Sequence, residues 1–545
     1  MALVTQFLSS IRGFVLQQDG DQLRDWLKVE QNASSQYYEL QAQLRSGFPA
    51  RSKALERFVE KCLPEEDDVS DGKGSPWPGF VSFMVDYLQY WRDVNFDDLL
   101  GLHELLSTLL TSCATALQNP TYGAMMLRTS ISLSESMSKL VMTLHRRPDL
   151  TSQLRVASGD EEKKSFVESA ADTIQKIFTS CLTDRSSTRW SKPEGKKVGV
   201  YIFANLVLKL LFTCNRSRLA VQMFTNIATS GPALGLFPAA QRVTYLYYLG
   251  RFYFEHNNFM RSAVCLDEAY IQTPPAAQKH RRLILTYLIP ANILLGRFPS
   301  ETLLNRPEAA TLSPIYRPLI QSIKAGNFVA FQAIMKTHEP WLFTHGLFIT
   351  LNFRLRPFLW RSLARRTFLL TYTPPADAAT SRRAATLDLH DVVTTASYQQ
   401  HLLEGWTPAN APPRAAAHHQ HHHGQNPVFL KAVRNSASAT AAATDSTLAP
   451  PPAGKHRRLR PCDGILCGNL AVTLGEVEGM VATLVGQSLM HGFVAHGQGK
   501  FAVVGTKQKG SAVLAGWPEV AGAVRERMRD QGAEMDNVPA WVKAP

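Results

Sequence analysis

The chain has 545 residues, of which 45% are hydrophobic and 9% aromatic, so it holds enough apolar material for two or more units with buried cores. Its formal net charge of +13 favours an anionic partner, and composition alone leaves open whether that partner is nucleic acid, acidic protein or anionic membrane. The seven cysteines are odd in number and lack zinc-ribbon spacing, which disfavours a disulfide framework and a structural zinc site.

The first residues carry no secretory signal pattern, because residues 1–17 reach Arg12 without a continuous apolar core. No uninterrupted apolar run in the sequence reaches the roughly 18 residues that a membrane-spanning helix needs. We therefore expect no membrane partner, and a location in the nucleus with the cytoplasm as a second compartment.

Helical patterns fill the first part of the chain, with apolar residues recurring at spacings of three and four. Residues 1–79 predict an N-terminal helical region that ends in an acidic connection containing Gly and Pro. Residues 80–197 predict helical repeats, with helices over 80–94, 97–117, 125–144 and 166–182. Asp98 lies at the start of the second of these helices, where the positive end of the helix favours a carboxylate.

Residues 198–372 continue the helical pattern and contain a match to the spacing of a tetratricopeptide-type helix pair. The matching positions are Leu246, Leu249, Gly250, Tyr253, Ser262, Leu266, Ala269 and Pro274. Ser262 stands where alanine is usual. The small residues Gly250 and Ala269 let two antiparallel helices approach closely, and such a pair needs stacked neighbours to bury its apolar face. The next helix, over 280–300, is expected to bend or end near Pro290.

The composition changes after residue 372. Residues 373–405 predict a linker and a helix over 387–403, and residues 406–460 are rich in Ala, Pro, Ser, Thr and His, which predicts a disordered insertion. Within residues 461–518 we expect a helix over 475–489 and two strands over 491–496 and 500–504, joined by a turn at 497–499. Helix followed by hairpin indicates a winged-helix ending. Residues 519–545 are the predicted C-terminal tail.

Several of these segments resemble PCI-domain proteins. The similarity rests on YYLGRFYF, RRLILTYLIPANILLGRFPS, IKAGNF and the region around Trp360-Arg361-Ser362-Leu363. It is strongest to the branch that contains the COP-nine signalosome subunit-twelve-like proteins and the mRNA-export subunit of the TREX-two complex. The resemblance implies an all-α helical solenoid of TPR-like helix pairs followed by a C-terminal winged helix, with the 387–403 helix as its first helix and the low-complexity segment as an insertion.

Basic residues collect in two parts of this predicted unit. Helical spacing places Arg354, Arg361 and Arg365 on one face, provided that Pro357 does not break the helix. The predicted wing adds Lys500, Lys507 and Lys509. Together these residues predict nucleic-acid binding through phosphate contacts, and the alternative is that they form solvated faces or ion pairs with a partner subunit.

Apolar residues of the predicted hairpin are candidates for partner binding, because strand edges are templates for pairing with another chain. These candidates are Phe493, Val494, Phe501 and Val503. The alternative is that they form the core of the winged helix.

The sequence gives no positive sign of catalysis, since it lacks GxxxxGK[ST], GxGxxG, HExxH and GxSxG. Cys462 and Cys467 form only a lone C-x4-C, and the His-rich tract at 418–423 lies in a segment without fixed geometry. We therefore expect no catalytic residues, no metal and no cofactor.

The resemblance implies a non-enzymatic scaffold subunit of a nuclear complex that couples transcription to mRNA export. Its implied partners are a large scaffold subunit, a small acidic Sem/DSS-type protein, and RNA or DNA. The alternative is an assembly subunit like those of the COP-nine signalosome or the proteasome lid, without nucleic-acid binding. The basic charge and the wing lysines favour the first function.

Overall fold

The structure is a computed structural model that describes residues 2–49, 53–63, 77–147, 149–150, 165–374, 384–408, 448–452 and 455–530. Most of the predicted acidic connection, part of the 373–383 linker, most of the predicted disordered insertion with its His-rich tract, and the end of the predicted C-terminal tail lie outside these residues.

Helices dominate the described chain, as their periodicity predicted. They are α1 (Ala2–Leu16), α2 (Gly20–Trp26), α3 (Ser35–Gly47), α4 (Ala54–Cys62), α5 (Pro78–Asp93), α6 (Leu99–Leu117), α7 (Met126–His145), α8 (Phe166–Thr183), α9 (Val200–Thr213), α10 (Val221–Ser230), α11 (Ala239–Glu255), α12 (Phe259–Gln272), α13 (Gln278–Leu294), α14 (Glu301–Leu304), α15 (Ser313–Ala325), α16 (Phe328–Thr337), α17 (Glu339–Thr344), α18 (Phe348–Arg354) and α19 (Arg356–Thr371). No strand occurs before residue 386 in the described ranges.

Short strands and further helices alternate in the C-terminal part. They are β1 (Thr386–Asp388), α20 (Leu389–Leu403), β2 (Thr407–Pro408), β3 (Leu448–Ala449), α21 (Leu474–Gly486), β4 (Gly492–Ala495), β5 (Lys500–Val503), α22 (Thr506–Lys509), α23 (Ala512–Gly516) and α24 (Val520–Asp530). The predicted tail therefore begins as a helix.

The chain divides into two compact units. The first contains Met1–Phe252 and Val264–Pro274, and the second contains Tyr253–Ala263 and Pro275–Asp536. In the first unit consecutive helices from α5 to α9 pack on one another. Aromatic side chains of α5 also hold the segment after α2, because Tyr87 donates to the Lys28 carbonyl (2.7 Å) and Tyr90 to the Val29 carbonyl (2.6 Å).

Helix α6 is long and apolar enough to cross a membrane by length and composition alone, with a mean hydropathy of 1.2. The segment contains polar residues, including His103 and Glu104, so it is not an uninterrupted apolar run. The helix packs against α5, α7 and α8 and buries Leu106, Leu109 and Leu110 completely or nearly so. An apolar surface on most sides is what a helix at the centre of a helical unit requires, so we describe α6 as a core helix.

Side-chain caps explain where two of these helices begin. The Asp98 carboxylate accepts from the amides of Leu100 and Gly101, both at 3.1 Å, as its position in the sequence predicted. Ser165 and Glu168 form a reciprocal capping box at the start of α8. The predicted helix over 166–182 is thereby confirmed to within one residue.

The helix pair α11 and α12 is where the predicted close approach occurs. Leu249, Leu266 and Ala269 are buried. A Cβ atom on Gly250 would lie 2.6 Å from Cγ and 2.8 Å from Cδ2 of Leu266, inside van der Waals contact. The short distance between the two helices therefore requires glycine at position 250, because any side chain would overlap Leu266.

In the second unit, Pro290 lies inside α13, which continues to Leu294. The expectation that the helix could end at Pro290 is wrong, because the buried neighbours Ile289 and Ala291 keep this segment packed despite the lost amide donor. Helix α15 ends at Gly326, whose φ of +63° is left-handed. A Cβ there would lie 2.4 Å from the Leu363 nitrogen, so Gly326 also lets this turn meet α19.

A three-stranded antiparallel sheet in the order β1-β5-β4 closes the second unit. Phe501 of β5 pairs with Leu387 of β1 on one side and with Val494 of β4 on the other. The helix, turn and hairpin predicted over 475–504 are confirmed as α21, β4 and β5. Strand β1 was not predicted, and it contains Leu387, which we had expected in a helix. Helices α19, α20 and α21 pack on one another beside this sheet.

The space at Gly250 supports a stability prediction. Replacing Gly250 with Leu should lower the free energy of unfolding by about 1–3 kcal/mol or more, because overpacking forces the helices apart. The control is Gly13→Leu in α1 of the same unit, where no atom lies within 4 Å of the added Cβ. Thermal unfolding followed by circular dichroism measures both variants. Equal midpoints for Gly250→Leu and the parent chain would contradict the packing role.

Candidate nucleic-acid and partner interface

The predicted arginine strip is divided between two helices. Arg354 is the last residue of α18, and Arg361 and Arg365 belong to α19. Pro357 lies in the first turn of α19, where its fixed φ and missing amide proton favour a helix start. The condition that Pro357 leave the helix unbroken is not met, so the three arginines do not share the face of one helix.

Arg361 uses its guanidinium inside the protein. Its Nε donates to the Leu489 carbonyl (3.1 Å) and one terminal nitrogen donates to the Pro518 carbonyl (2.5 Å). Burial, with a smaller contribution from the nearby charge of Arg365, lowers the pKa of Arg361 to about 10. Because that pKa remains well above 7, the group stays charged and anchors two loops to α19.

A second arginine of α19, Arg356, is buried and holds the segment at residues 462–466, for which the sequence predicted no helix or strand. It donates to the carbonyls of Ile465 and Leu466, both at 3.0 Å, and to that of Cys462 at 2.5 Å. Burial lowers the pKa of this guanidinium from its ordinary value. The adjacent basic pattern in the sequence gave no means of distinguishing this internal arginine from an exposed one.

Two amide side chains bind the same Cys462 carbonyl that Arg356 contacts. Gln332 donates to the Cys462 carbonyl at 3.1 Å, and Asn352 donates to it at 3.3 Å. Arg460 is also engaged, since it forms ion pairs with Glu339 (2.7 Å) and Asp463 (2.9 Å). These contacts hold residues 460–466 against α16 to α19.

The remaining predicted cations are available for an external ligand. Arg354, Lys507 and Lys509 are exposed, whereas Arg365 and Lys500 are half-buried. None of the five side chains makes a hydrogen bond or ion pair with any residue in the described ranges. Lys500 is the first residue of β5, and the other two lysines lie on α22, which begins at Thr506, shortly after β5 ends at Val503. The sheet and the short helix after it therefore carry unpaired positive charge.

The predicted partner residues separate into surface and core. Phe493 is 55% exposed on β4, which is an edge strand of the described sheet, and Val494 is half-buried. Phe501 and Val503 are 0% and 3% exposed. Side chains of β5, the central strand, contribute to the core, and the ring of Phe501 lies 6.1 Å from that of Trp517. For these two residues the partner-binding interpretation is corrected to a core role.

Sequence reasoning missed two apolar residues near Phe493 in the chain. Val504, directly after β5, is 43% exposed, and Leu514 on α23 is 62% exposed. Helix α23 packs against β5. Their exposure depends on the tertiary packing of α23, and no local pattern distinguishes them from core residues.

The described residues contain no group of three or more His, Cys, Asp or Glu side chains arranged to hold a metal ion. Cys462 donates to the Asp463 carboxylate at 3.5 Å, and burial raises the pKa of its thiol. The lone C-x4-C thus has no further ligand assembled around it in this part of the chain.

Comparison with known proteins bears on this architecture. No family model matches the chain. A PCI domain-containing protein of Schizosaccharomyces pombe is 26% identical over 323 residues, which are 57% of this chain and 71% of that protein. The CSN12 homolog of Neurospora crassa is 30% identical over 214 residues, 38% of this chain and 46% of that protein. This chain is similar to PCI domain-containing proteins, among them CSN12 homologs, at 26–30% identity over part of its length.

Relatives from animals show the same similarity. PCI domain-containing protein 2 of Danio rerio is 28% identical over 208 residues, 38% of this chain and 50% of that protein. The chain therefore spans about half the length of the CSN12 and zebrafish relatives that it matches. The mostly helical fold with a small C-terminal antiparallel sheet is consistent with a PCI protein.

Proposed function

We propose that this PCI protein is a non-enzymatic scaffold subunit of a nuclear complex that couples transcription to mRNA export, and that it contributes to RNA or DNA binding. The observation that carries the proposal is the unpaired positive charge at the start of β5 and on α22. A side-chain cation without an internal partner can contact a phosphate without first breaking an internal hydrogen bond or ion pair. A basic protein also attracts polyanions through its summed charge.

In this proposal the C-terminal sheet and helices function as a winged helix. Helices α20 and α21 pack together, and the hairpin β4-β5 follows them. Strand β1 pairs with β5 and leads directly into α20, so residues on both sides of the insertion build one small unit. In the same proposal the preceding helices form a helical solenoid. The repeat unit of that solenoid is a helix pair like α11 and α12, which pack closely at Gly250.

The proposed protein partners are a large scaffold subunit and a small acidic Sem/DSS-type protein. The edge strand β4 offers unpaired backbone groups and the exposed Phe493 ring to the scaffold subunit. The net charge of +13 suits an acidic partner.

A second candidate function is assembly without nucleic-acid binding, as in a subunit of the COP-nine signalosome or the proteasome lid. Two observations favour it. Relatives of this chain are named as CSN12 homologs, and Arg356 and Arg361 serve internal contacts rather than a positive surface. The experiments below separate the two functions.

Charge reversal tests nucleic-acid binding. Replacing Lys500, Lys507 and Lys509 with Glu should weaken binding to single- and double-stranded probes and reduce the log-log salt slope by about 0.7–0.9 per lost phosphate contact. Fluorescence anisotropy across a salt series measures both quantities in the full chain and in its purified complex.

Arg365 and Arg361 form a matched pair of test sites on one helix, because the side chain of the first has no internal partner and that of the second makes internal hydrogen bonds. Arg365→Glu should lower the salt slope and leave the unfolding midpoint unchanged, because its side chain has no partner in the described residues. Arg361→Met should lower stability by about 1–3 kcal/mol, since two carbonyls lose their donor, with no change in slope. An unchanged affinity and slope in the lysine and Arg365 variants would favour assembly without nucleic-acid binding.

A point substitution tests the partner edge more selectively than deletion of the hairpin, which would also remove core residues. Phe493→Asp should abolish co-purification of the scaffold subunit while the chain stays folded, because the side chain is already 55% exposed. The control is Leu219→Asp, at a 54% exposed apolar position of the first unit. Retention of the subunit by the Phe493 variant would show that β4 is not the partner edge.

A further inference from the structure

Among the tryptophans that the structure describes, Trp190 alone is exposed, with 61% of its surface accessible. Trp77, Trp91, Trp360 and Trp517 are buried. Trp190 lies in the first unit, in the loop between α8 and α9 that is polar and basic. An exposed indole of this size offers a flat face on which a planar ligand can stack.

The loop holds Trp190 firmly. The guanidinium of the adjacent Arg189 donates to the carbonyls of Ala228 (2.9 Å) and Thr229 (3.0 Å), and the Arg189 carbonyl accepts from the Ala233 amide (2.9 Å). The same guanidinium lies 5.5 Å from the centre of the indole. A ring fixed in this way loses little conformational entropy when a flat ligand stacks on it.

Positive charge surrounds this ring in the sequence. Residues 176–197 contain six lysines and arginines against two carboxylates. Three of the cations have internal partners: Arg189 as above, Lys196 with the Asn119 carbonyl (2.9 Å), and Lys197 with the Ser187 carbonyl. The side chains of the other three have no hydrogen bond or ion pair with any described residue. They are Lys176, Arg185 and Lys192, and all three are exposed.

Two of these free cations line one cavity. A cleft of about 870 Å³ has Lys176 and Arg185 in its wall. The carboxylate of Asp184 also lines it, but accepts hydrogen bonds from Ser186 (2.7 Å) and from the Lys196 amide (3.1 Å). Ammonium and guanidinium donors in one cleft suit the oxygens of a phosphodiester chain.

We propose that the loop at 184–197, with Lys176, is a second nucleic-acid site that takes a single strand, stacking one base on Trp190 and holding neighbouring phosphates with Lys176, Arg185 and Lys192. The site goes beyond the wing contacts proposed above, because it lies in the other unit and uses stacking. Trp190 follows Arg185 by five positions, so their Cα atoms are at most about 18 Å apart, within the span of a few nucleotides.

A single strand fits this site better than a duplex, since paired bases are already stacked and cannot reach an indole face. It also fits better than an acidic protein segment, because carboxylates would use the cations and leave the exposed ring uncovered. Stacking on an aromatic side chain tolerates every base, so little sequence preference is expected.

Substitution of the ring provides the test. In the full chain, Trp190→Ala should weaken binding of fluorescein-labelled rU12 or dT12 by about five- to 150-fold, with an unchanged salt slope. Trp190→Phe should retain most of the affinity, and a matched duplex should bind equally to all three proteins. Reversal of Lys176, Arg185 and Lys192 to Glu should instead reduce the salt slope.

The control is Phe343→Ala, which removes a 68% exposed aromatic ring from the second unit and should leave binding unchanged. A larger loss with rU12 than with dT12 would identify RNA as the ligand, and the reverse would identify DNA. Two results would overturn the proposal: unchanged affinity of Trp190→Ala for both strands, or an equal loss for the duplex. A Trp190→Ala variant that loses only poly-glutamate binding would show that the loop takes an acidic protein instead.

Discussion

Two guanidinium groups on one helix hold the C-terminal part of this protein together. Arg356 supplies donors to three carbonyls between residues 462 and 466, and Arg361 supplies donors to those of Leu489 and Pro518. Those carbonyls lie in turns and loops, so they have no ladder of backbone partners there, and a buried carbonyl without a donor is costly. Arginine suits the task because its planar group carries five donors and remains charged when partly buried.

This internal use of arginine determines where function can lie. The cations whose side chains remain without internal partners include those at the start of β5 and on α22, those on α18 and α19, and those on α8 and in the loop that carries Trp190. Two exposed aromatic rings lie in the same parts of the chain, Phe493 on β4 and Trp190 in the loop. In the proposed function, the PCI-like fold serves as the scaffold and these surface groups make the specific contacts.

Periodicity and turn chemistry were sufficient to predict most helices, the close packing of two helices at Gly250 and the β4-β5 hairpin. These features depend on residues close in sequence. They were insufficient for β1, a three-residue strand whose partner β5 lies more than a hundred residues away. Local charge patterns likewise placed Arg361 on the surface, and the burial of Phe501 and Val503 followed only from the central place of β5 in the sheet. Pro357 was recognised as a possible break, but only the structure showed that a new helix starts there.

Hydrogen–deuterium exchange of the full chain with and without rU12 tests the central claim, that nucleic acid binds through the free cations and Trp190 rather than through the internal arginines. The account predicts slower exchange over residues 184–192 and 500–509 on binding, with no change over residues 462–466, which Arg356 already holds. Protection confined to residues 462–466, or none in either basic segment at saturating rU12, would contradict it.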